Sequence, residues 1–483
     1  MRIGYVTKAL SIMYRHIAYL ILLPCIVSLC YKEYNSIYPF VIASLTALVL
    51  SFLFKGKKED DLNKIKRIEA FMIVISVWVG IALIAAIPYL FFGLNPINAL
   101  FEATSGITAT GATILTDFSL YPKAMFFWRS FSQWLGGMGI IVLFIAILPQ
   151  FAVAGRQMFF AEASNTTEDK ITPRIRETAG GLWKIYISLT ALEVILLTYF
   201  KMPLFDAICN SMSTLAGGGF SPDPNSFTSY DIPVFVWIIT AFMFLAGVNF
   251  TLQYTFLAKK KWTIFFKDEE FKTYLVTIIA FTLMIAFSLC GQNLMNFWNS
   301  IREALFQVIS IITTTGFASV DYAQWDLRAK VLLFLLMFTG ASVGSASGGL
   351  KLIRILLVLK YLKRQIQKIF HPNGVYLIKL NKKIVPDFVV SQMISFTFFY
   401  YFIFIVTSIA VIMIEKNAIV GITGTIAMLG NVGPAFGALG PMGNYDFLTI
   451  PTKVIFIFNM LIGRLELIPF LAMLHPEFWK IKK

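Results

Sequence analysis

The sequence predicts an all-α integral membrane protein, in which four membrane-pore-membrane repeats surround a pseudo-fourfold pore and two further transmembrane helices precede the repeats. Three observations predict this fold: the composition, a series of long apolar stretches, and a short Gly/Ser/Thr-rich segment that recurs between paired stretches. Of the 483 residues, 58% are hydrophobic and only 14% are charged. A soluble fold of that composition would carry more apolar surface than one core could bury.

Ten apolar stretches have roughly the length that a bilayer-spanning helix needs, about 20 residues. The first is predicted to be a transmembrane helix rather than a signal peptide, because no small-residue cleavage pattern follows it and a second apolar stretch comes almost at once. The predicted spans are 12–30, 37–54, 69–92, 126–151, 182–200, 233–257, 271–291, 327–363, 389–414 and 451–474.

The formal net charge of +15 is distributed as membrane topology requires. Lysine and arginine cluster in 55–67, 259–272 and 351–383, whereas 223–232 and 441–450 are nearly free of them. Cytoplasmic loops carry such an excess of positive charge. We therefore predict that both termini are cytoplasmic and that the basic residues set topology rather than bind nucleic acid.

After the first two spans, the remaining eight form four pairs, and each pair brackets a segment too short to cross the membrane. Each bracketed segment is predicted to be a half-length helix followed by an extended turn that contains glycine. The four turns are Thr108-Ala109-Thr110-Gly111, Ala216-Gly217-Gly218-Gly219, Thr313-Thr314-Thr315-Gly316 and Gly430-Asn431-Val432-Gly433. The corresponding division of the chain is 1–68 for the N-terminal helices, then repeats at 69–155, 156–260, 261–370 and 371–483.

Non-helical backbone at membrane depth is tolerated only where protein buries it or where it lines a water-filled path. Four such turns around one axis would present backbone carbonyls that replace the hydration shell of a monovalent cation. Glycine suits each turn because it adopts backbone conformations that strain other residues. Gly111, Gly219, Gly316 and Gly433 are the glycines that we align.

The third turn, in Ile311-Ile312-Thr313-Thr314-Thr315-Gly316-Phe317, and the stretch from Trp128-Arg129-Ser130 to Gly136-Gly137-Met138-Gly139 carry a family resemblance. From about residue 69 onwards the sequence resembles the superfamily of K+ transporters that includes the bacterial Trk and Ktr subunits and the plant HKT proteins. The two extra N-terminal spans make it most similar to the TrkH-type membrane subunit.

The resemblance implies that the turns form a K+-selective filter in the inner membrane. Some plant relatives that favour Na+ have serine at the first filter glycine, so Gly111 favours K+. The second and fourth turns depart from an idealised Thr-Val-Gly-Tyr-Gly, which predicts a short filter with weaker discrimination against Na+. The implied K+ site consists of Thr110, Gly111, Gly218, Gly219, Thr315, Gly316, Val432 and Gly433.

The stretch 327–363 would be about 55 Å long as one helix, well beyond a hydrocarbon core of about 30 Å. Small residues between Gly340 and Gly349 predict a break there. By resemblance this break is an intramembrane gate below the filter, formed by Gly344, Ser345, Gly348 and Gly349 with Arg464; a flexible kink without a gating role is the alternative. Arginine near mid-bilayer costs about 2.5–3.5 kcal/mol, so Arg464 should face the protein interior or a cavity. A structural pair with Glu466 or another carboxylate is the alternative role.

Three further carboxylates lie in apolar or pore-helix segments. Glu102 and Glu303 are predicted to have structural roles in pore helices, with cation attraction as the alternative. Glu193 is expected to have a partner in the protein interior. The glycines from Gly136 to Gly139 are interpreted as a helix-packing face.

By resemblance, the chain is expected to form a homodimer and to work with a cytoplasmic nucleotide-binding subunit of the TrkA type. K+ would be the transported ion, and no nucleotide is expected on this chain. A secondary transporter that couples cation movement to Na+ or H+ is the alternative function, although such proteins commonly use inverted or paired halves. An enzyme is not expected, because His16, His371 and His475 are scattered and no nucleophile-base or metal-ligand constellation accompanies them.

Overall fold

The computed structural model describes residues 3–55, 67–151, 171–230, 232–291, 296–465, 470, 473 and 475–479. Within these ranges the chain is almost entirely helical, and its named strands are the two-residue β1 (Lys379–Leu380) and β2 (Lys383–Ile384), paired antiparallel. The all-α fold class is therefore confirmed.

An N-terminal helical hairpin precedes the repeats. The hydroxyl of Ser11 donates to the Ser51 carbonyl at 2.7 Å, and that of Ser44 donates to the Ala18 carbonyl at 2.7 Å. Small residues let helix backbones approach closely enough for such bonds, which hold membrane helices together. The helices of the hairpin are α1 (Ile3–Leu20), α2 (Leu23–Cys30) and α3 (Ile37–Leu53).

Each of the four repeats contains a long first helix, a short pore helix, an extended turn and a second helix. The first two repeats differ in that the second helix of repeat 2 is bent. Repeat 1 contains α4 (Arg67–Phe91), the pore helix α5 (Pro96–Ile107) and α6 (Lys123–Phe151). Repeat 2 contains α7 (Ile171–Tyr199), the pore helix α8 (Leu204–Ala216), α9 (Pro233–Gly247) and α10 (Phe250–Lys259).

The other two repeats follow a short connecting helix, α11 (Thr263–Lys267). The second helix of repeat 3 is interrupted by a non-helical segment, and the pore helix of repeat 4 starts with a π-helical turn. Repeat 3 contains α12 (Glu269–Gly291), the pore helix α13 (Phe297–Ile312), α14 (Leu327–Met337) and α15 (Leu352–Phe370). Repeat 4 contains α16 (Asp387–Glu415), the π-helical turn Val420–Gly424, its continuation α17 (Thr425–Leu429) and α18 (Ile450–Leu465).

The first pore helix, α5, starts at a capping residue and lies inside the protein. Asn95 caps α5 by accepting a hydrogen bond from the Asn98 amide at 2.9 Å, and Pro96 occupies the first turn. Both are favoured at a helix start. Every residue of α5 from Ala103 to Ile107 is buried, so this half-length helix meets the requirement that irregular backbone at membrane depth be surrounded by protein.

Six helical spans in the described ranges are long and apolar enough to cross a membrane, or seven if a bent pair counts as one span. They agree with the predicted spans 12–30, 37–54, 69–92, 182–200, 271–291 and 389–414, although the first begins earlier, at Ile3. The predicted spans 126–151 and 451–474 correspond to α6 and α18, and part of the latter span lies outside the described residues.

The predicted span over 233–257 is broken into two helices. The chain bends by 95° between α9 and α10. The side chain of Asn249 caps α10 by accepting from the Thr251 amide at 2.8 Å, and Gln253 donates to the carbonyls of Leu245 and Val248 at 2.8 and 3.2 Å. These side chains satisfy backbone groups that the bend removes from the helix, so the sequence stabilises the break.

The predicted break in 327–363 is present. Residues 338–351 between α14 and α15 form a non-helical segment, which we name the intramembrane loop. The Gly340 amide donates to the Leu350 carbonyl at 2.7 Å, so the two ends of the loop lie side by side.

Candidate ion-conducting site

The four extended turns share one hydrogen-bond pattern. In each turn one amide donates to the carbonyl five positions earlier, at 2.8 or 2.9 Å, which folds the turn back on the end of its pore helix. The four pairs are Thr110 to Ser105, Gly218 to Ser213, Thr315 to Ser310 and Val432 to Ala427. The residue after each donor is one of the four aligned glycines, so the turns are equivalent in structure.

Each turn also places two residues in the left-handed region, with a single residue between them. A non-glycine residue there costs on the order of 1–3 kcal/mol and persists only where its surroundings enforce it. The pairs and their φ angles are Ala109 and Gly111 (50°, 83°), Gly217 and Gly219 (65°, 72°), Thr314 and Gly316 (57°, 79°), and Asn431 and Gly433 (55°, 93°).

The four turns close into a ring. A β-carbon added to any aligned glycine would overlap a carbonyl oxygen of the next turn. These contacts are Gly111 to Gly218 (2.1 Å), Gly219 to Thr315 (2.0 Å), Gly316 to Val432 (2.1 Å) and Gly433 to Thr110 (2.4 Å). Because the fourth turn contacts the first, the turns surround one axis, and all eight residues of the predicted K+ site lie in this ring.

Side chains reduce the symmetry of the ring from fourfold to twofold. Turns 1 and 3 each carry a buried pair of threonine hydroxyls in hydrogen-bond contact, whereas turns 2 and 4 have no hydroxyl at the same positions. The pairs are Thr108 with Thr110 at 2.7 Å and Thr313 with Thr315 at 2.8 Å, and the equivalents are Ala216 with Gly218 and Gly430 with Val432. Since the turns follow one another around the ring, the two threonine pairs lie on opposite sides.

The fourth turn is held by side chains from outside it and by its own asparagine. Tyr445 donates its hydroxyl to the Gly433 carbonyl at 2.6 Å. The Asn431 amide group donates to the Thr110 hydroxyl and to the Met460 carbonyl, both at 2.9 Å. The Gly433 oxygen keeps one lone pair for another ligand, because a carbonyl accepts two hydrogen bonds.

Replacing Tyr445 by phenylalanine should lower the free energy of unfolding by about 1 kcal/mol, since one buried hydrogen bond is lost while the ring volume is kept. The thermal transition of the purified protein in detergent measures this. Tyr14→Phe is the matched control, because its hydroxyl lies 3.4 Å from the Ser76 carbonyl, away from the turns. Equal shifts in the two variants would contradict the bracing role of Tyr445.

The carboxylate of Glu102 supports the chain just beyond the first turn. Its oxygens accept from Arg129 Nε at 2.8 Å and from the Ile114 amide at 3.0 Å, and both ionic side chains are buried. Glu303 contacts Arg302 at 2.6 Å and accepts from the Ser319 hydroxyl. These contacts fit the structural interpretation of both residues.

The intramembrane loop lies directly against the ring. The Gly348 amide donates to the Thr314 hydroxyl at 2.7 Å. A β-carbon on Gly217 would lie 3.6 Å from the Ala346 carbonyl oxygen, and the same oxygen accepts from Arg464 Nη1 at 2.8 Å. Arg464 is 2% exposed, so a buried guanidinium holds the loop from the side of α18. Arg464 Nε and Nη2 have no hydrogen-bond partner among the described residues.

The other predicted gate residues lie in the loop itself. Gly344 and Gly349 have φ angles of 74° and 65°, and the Gly344 carbonyl accepts from the Phe250 amide at 3.0 Å, at the bend of repeat 2. The Ser345 hydroxyl contacts that of Ser347 at 2.7 Å. The loop is thus attached to the ring, to α18 and to the α9–α10 bend.

The chain matches the model of the TrkH family, described as a cation transport protein, over residues 37–480. The chain belongs to the TrkH family. It is 35% identical to the Trk system potassium uptake protein TrkH of Salmonella typhimurium over 464 residues, with 95% of each chain covered. It is also 35% identical to the TrkH of Escherichia coli K12 over 468 residues, with the same coverage, and 31% identical to the TrkG of that strain over 466 residues, 95% of this chain and 94% of TrkG.

The crystal structure of the potassium transporter TrkH from Vibrio parahaemolyticus has the same fold. The TM-score is 0.91 at 31% sequence identity, covering 99% of this chain and 100% of that chain. TrkH proteins are transporters, not enzymes, and the apolar helices together with this membership make the chain a multi-pass protein of the inner membrane.

Sequence reasoning missed several residues of this TrkH-family site. Gln133, Tyr445 and Glu270 each bond to a turn or to the loop, the last by accepting from the Val343 amide at 2.8 Å. Gln133 lies inside the stretch that carried the resemblance, which was a usable signal. Tyr445 lies in a polar loop and offered none.

The expected partner of Glu193 is not found among the described residues. The Thr214 side chain lies beside this buried carboxyl group, but neither carboxyl oxygen has a hydrogen-bond partner among the described residues. Glu466, the predicted alternative partner of Arg464, lies outside the described residues.

Proposed function

We propose that this chain takes up K+ across the inner membrane through a channel-like pore whose selectivity filter is the ring of four turns. The closed cycle of glycine-to-carbonyl contacts carries the proposal, because four buried, non-helical turns around one axis are the arrangement that cation filters use. The relatives named above are potassium uptake proteins. The proposed K+ ligands are Thr110, Gly111, Gly218, Gly219, Thr315, Gly316, Val432 and Gly433, and the proposed repeats are 69–155, 156–260, 261–370 and 371–483.

The intramembrane loop is the proposed gate, formed by Gly344, Ser345, Gly348 and Gly349 and held by Arg464. Two observations support this role: the loop bonds to the filter through Thr314, and the Arg464 guanidinium bonds to the Ala346 carbonyl beneath the ring. A fixed positive charge at that point raises the barrier to a cation, and its bond to the loop stabilises the closed conformation.

A cytoplasmic regulatory subunit of the TrkA type is the proposed source of the gating signal, and nucleotide binds to that partner. This chain is proposed to form a homodimer with both termini in the cytoplasm. Consecutive residues at the start of α12 support a route for the signal. Asp268 accepts from the Asn381 side chain at 2.8 Å, and Glu269 accepts from the Asn381 amide at 3.0 Å, so both bind the tip of the β1–β2 hairpin. The next residue, Glu270, bonds to Val343 of the loop.

Uptake of radioactive K+ or Rb+ into proteoliposomes that contain only the purified chain tests the function. Under an imposed negative internal potential, with equal Na+ and H+ on both sides, we expect saturable uptake that K+ competes for better than Na+. Adding the cytoplasmic partner with its nucleotide should increase the rate. Uptake that Na+ and K+ inhibit equally would exclude a K+-selective filter.

A coupled cation transporter is the second candidate, and Glu193 is the observation that favours it. Ionisable groups inside a membrane protein are expensive to bury, and they commonly mark proton or ion pathways. Uptake that starts only when a Na+ or H+ gradient is imposed, and that Glu193→Gln uncouples from the gradient, would establish this alternative.

A further inference from the structure

The second filter turn differs from the others because its last three residues have no side chain. These residues are Gly217, Gly218 and Gly219, and three consecutive glycines form the most permissive backbone that a chain offers. Turns 1 and 3 are braced by their threonine pairs, and turn 4 is braced by Tyr445 and Asn431. A turn without such support would change its width readily.

Gln133 of α6 supplies the missing support. Its side-chain Nε2 donates to the Gly218 carbonyl at 2.7 Å, and its Oε1 accepts from the Phe220 amide at 3.1 Å. The two partners determine the orientation of the side-chain amide, because a carbonyl only accepts and a backbone amide only donates. The pair of bonds spans Gly219, the aligned glycine of this turn.

Close packing of α6 brings Gln133 to this position. A β-carbon on Gly136 would lie 1.8 Å from the Ile107 carbonyl at the end of the first pore helix, and one on Gly137 would lie 2.8 Å from Ala216 at the end of the second. The packing interpretation is thereby confirmed for Gly136 and Gly137. At Gly218 an added β-carbon would lie 2.4 Å from the Gln133 side chain, so the glutamine fills the space that any other residue would need.

We propose that Gln133 is a specificity-determining positioning residue, which fixes the width of the all-glycine turn and with it the preference for K+ over Na+. Gln133 is buried with 0% exposure. It acts through its hydrogen bonds to the carbonyl of Gly218 and the amide of Phe220, and it does not itself bind the ion. The inference rests on the proposed filter. It goes further by assigning the rigidity of one quarter of the ring to a residue outside all four turns.

The test is the K+/Na+ permeability ratio from reversal potentials of the full chain in planar bilayers or proteoliposomes. Gln133→Met keeps the side-chain length and removes both hydrogen bonds, and we expect the ratio to fall about fivefold, the equivalent of about one net hydrogen bond. The ratio does not depend on how many molecules are folded and inserted, so a purely structural defect would lower the current and leave the ratio unchanged.

Gln253→Met is the matched control. This buried glutamine also donates to backbone carbonyls, at the α9–α10 bend, and the same change there should leave the ratio at the wild-type value. If Gln133→Met does not yield folded protein, Gln133→Asn decides, because the shorter amide reaches at most one of the two partners and should give an intermediate ratio. An unchanged ratio in the folded Gln133 variant overturns the inference, whereas a wild-type protein without K+ preference overturns the proposed filter instead.

Discussion

Gly316→Ser should abolish most of the K+ preference, lowering the K+/Na+ permeability ratio by about tenfold or more. The new β-carbon would lie 2.1 Å from the Val432 carbonyl oxygen and 2.8 Å from the Pro434 ring, and it would be attached to a backbone with a φ of 79°. A left-handed non-glycine residue costs about 1–2 kcal/mol and overpacking typically costs a further 1–3 kcal/mol. The third and fourth turns must therefore move apart, which widens the ring where carbonyls would contact the ion.

The measurement is the reversal potential under bi-ionic K+/Na+ conditions, together with uptake in proteoliposomes. Gly180→Ser in α7 is the matched control, because a β-carbon there would have no heavy atom within 4 Å. It should leave both the ratio and the uptake rate at their wild-type values. Wild-type selectivity in folded Gly316→Ser protein would remove Gly316 from the filter.

Arg464→Ala should raise the K+ flux that occurs without any cytoplasmic partner by about thirtyfold. Removing the side chain deletes a charge-assisted hydrogen bond to Ala346, which is worth about 2 kcal/mol, and each 1.4 kcal/mol changes an equilibrium tenfold. The open conformation of the loop gains population accordingly. The K+/Na+ ratio should stay unchanged, because the ring itself keeps its contacts.

Two companion variants separate the reasons for that increase. Arg464→Lys retains a positive charge beneath the ring but loses the planar guanidinium, so its flux should lie between those of the wild type and Arg464→Ala. Lys453→Ala is the control, since Lys453 is another buried cation of α18, about 16 Å away along the helix, where it bonds to Asn98 and Asp446. If Lys453→Ala raises the flux as much as Arg464→Ala, general destabilisation explains the increase and Arg464 is not a gate residue.

Much of the fold could be predicted from the sequence because a bilayer imposes strict rules on it. Apolar length identified most of the spans, and the need to bury irregular backbone made Gly111, Gly219, Gly316 and Gly433 stand out in register. The break in 327–363 was visible because a helix of that length cannot fit a bilayer. The bend after Gly247 was not visible, because 233–257 is continuously apolar and the residues that stabilise the bend, Asn249 and Gln253, are ordinary polar residues in sequence.

The support of the ring was also beyond sequence reasoning. Gln133 lies 85 positions before Gly218 and makes two hydrogen bonds to backbone atoms. Tyr445 lies 12 positions after Gly433 and makes one such bond. Such bonds leave no periodicity or spacing in the sequence, so the stretch that carried the family resemblance marked the position of Gln133 but not its hydrogen bonds. Glu193 shows the opposite case, since the sequence marked it as unusual and its carboxyl oxygens have no hydrogen-bond partner within the described part of the chain.

The joining of all four turns in one polypeptide has a consequence for how this protein changes over time. In a pore assembled from four identical subunits, one codon change alters all four turns at once. Here a codon change alters the sequence of one turn, and the other three turns keep theirs. The two threonine-bearing turns and the two turns without such hydroxyls are therefore an arrangement that a homotetramer cannot encode. In the proposed filter, ion discrimination can change one turn at a time.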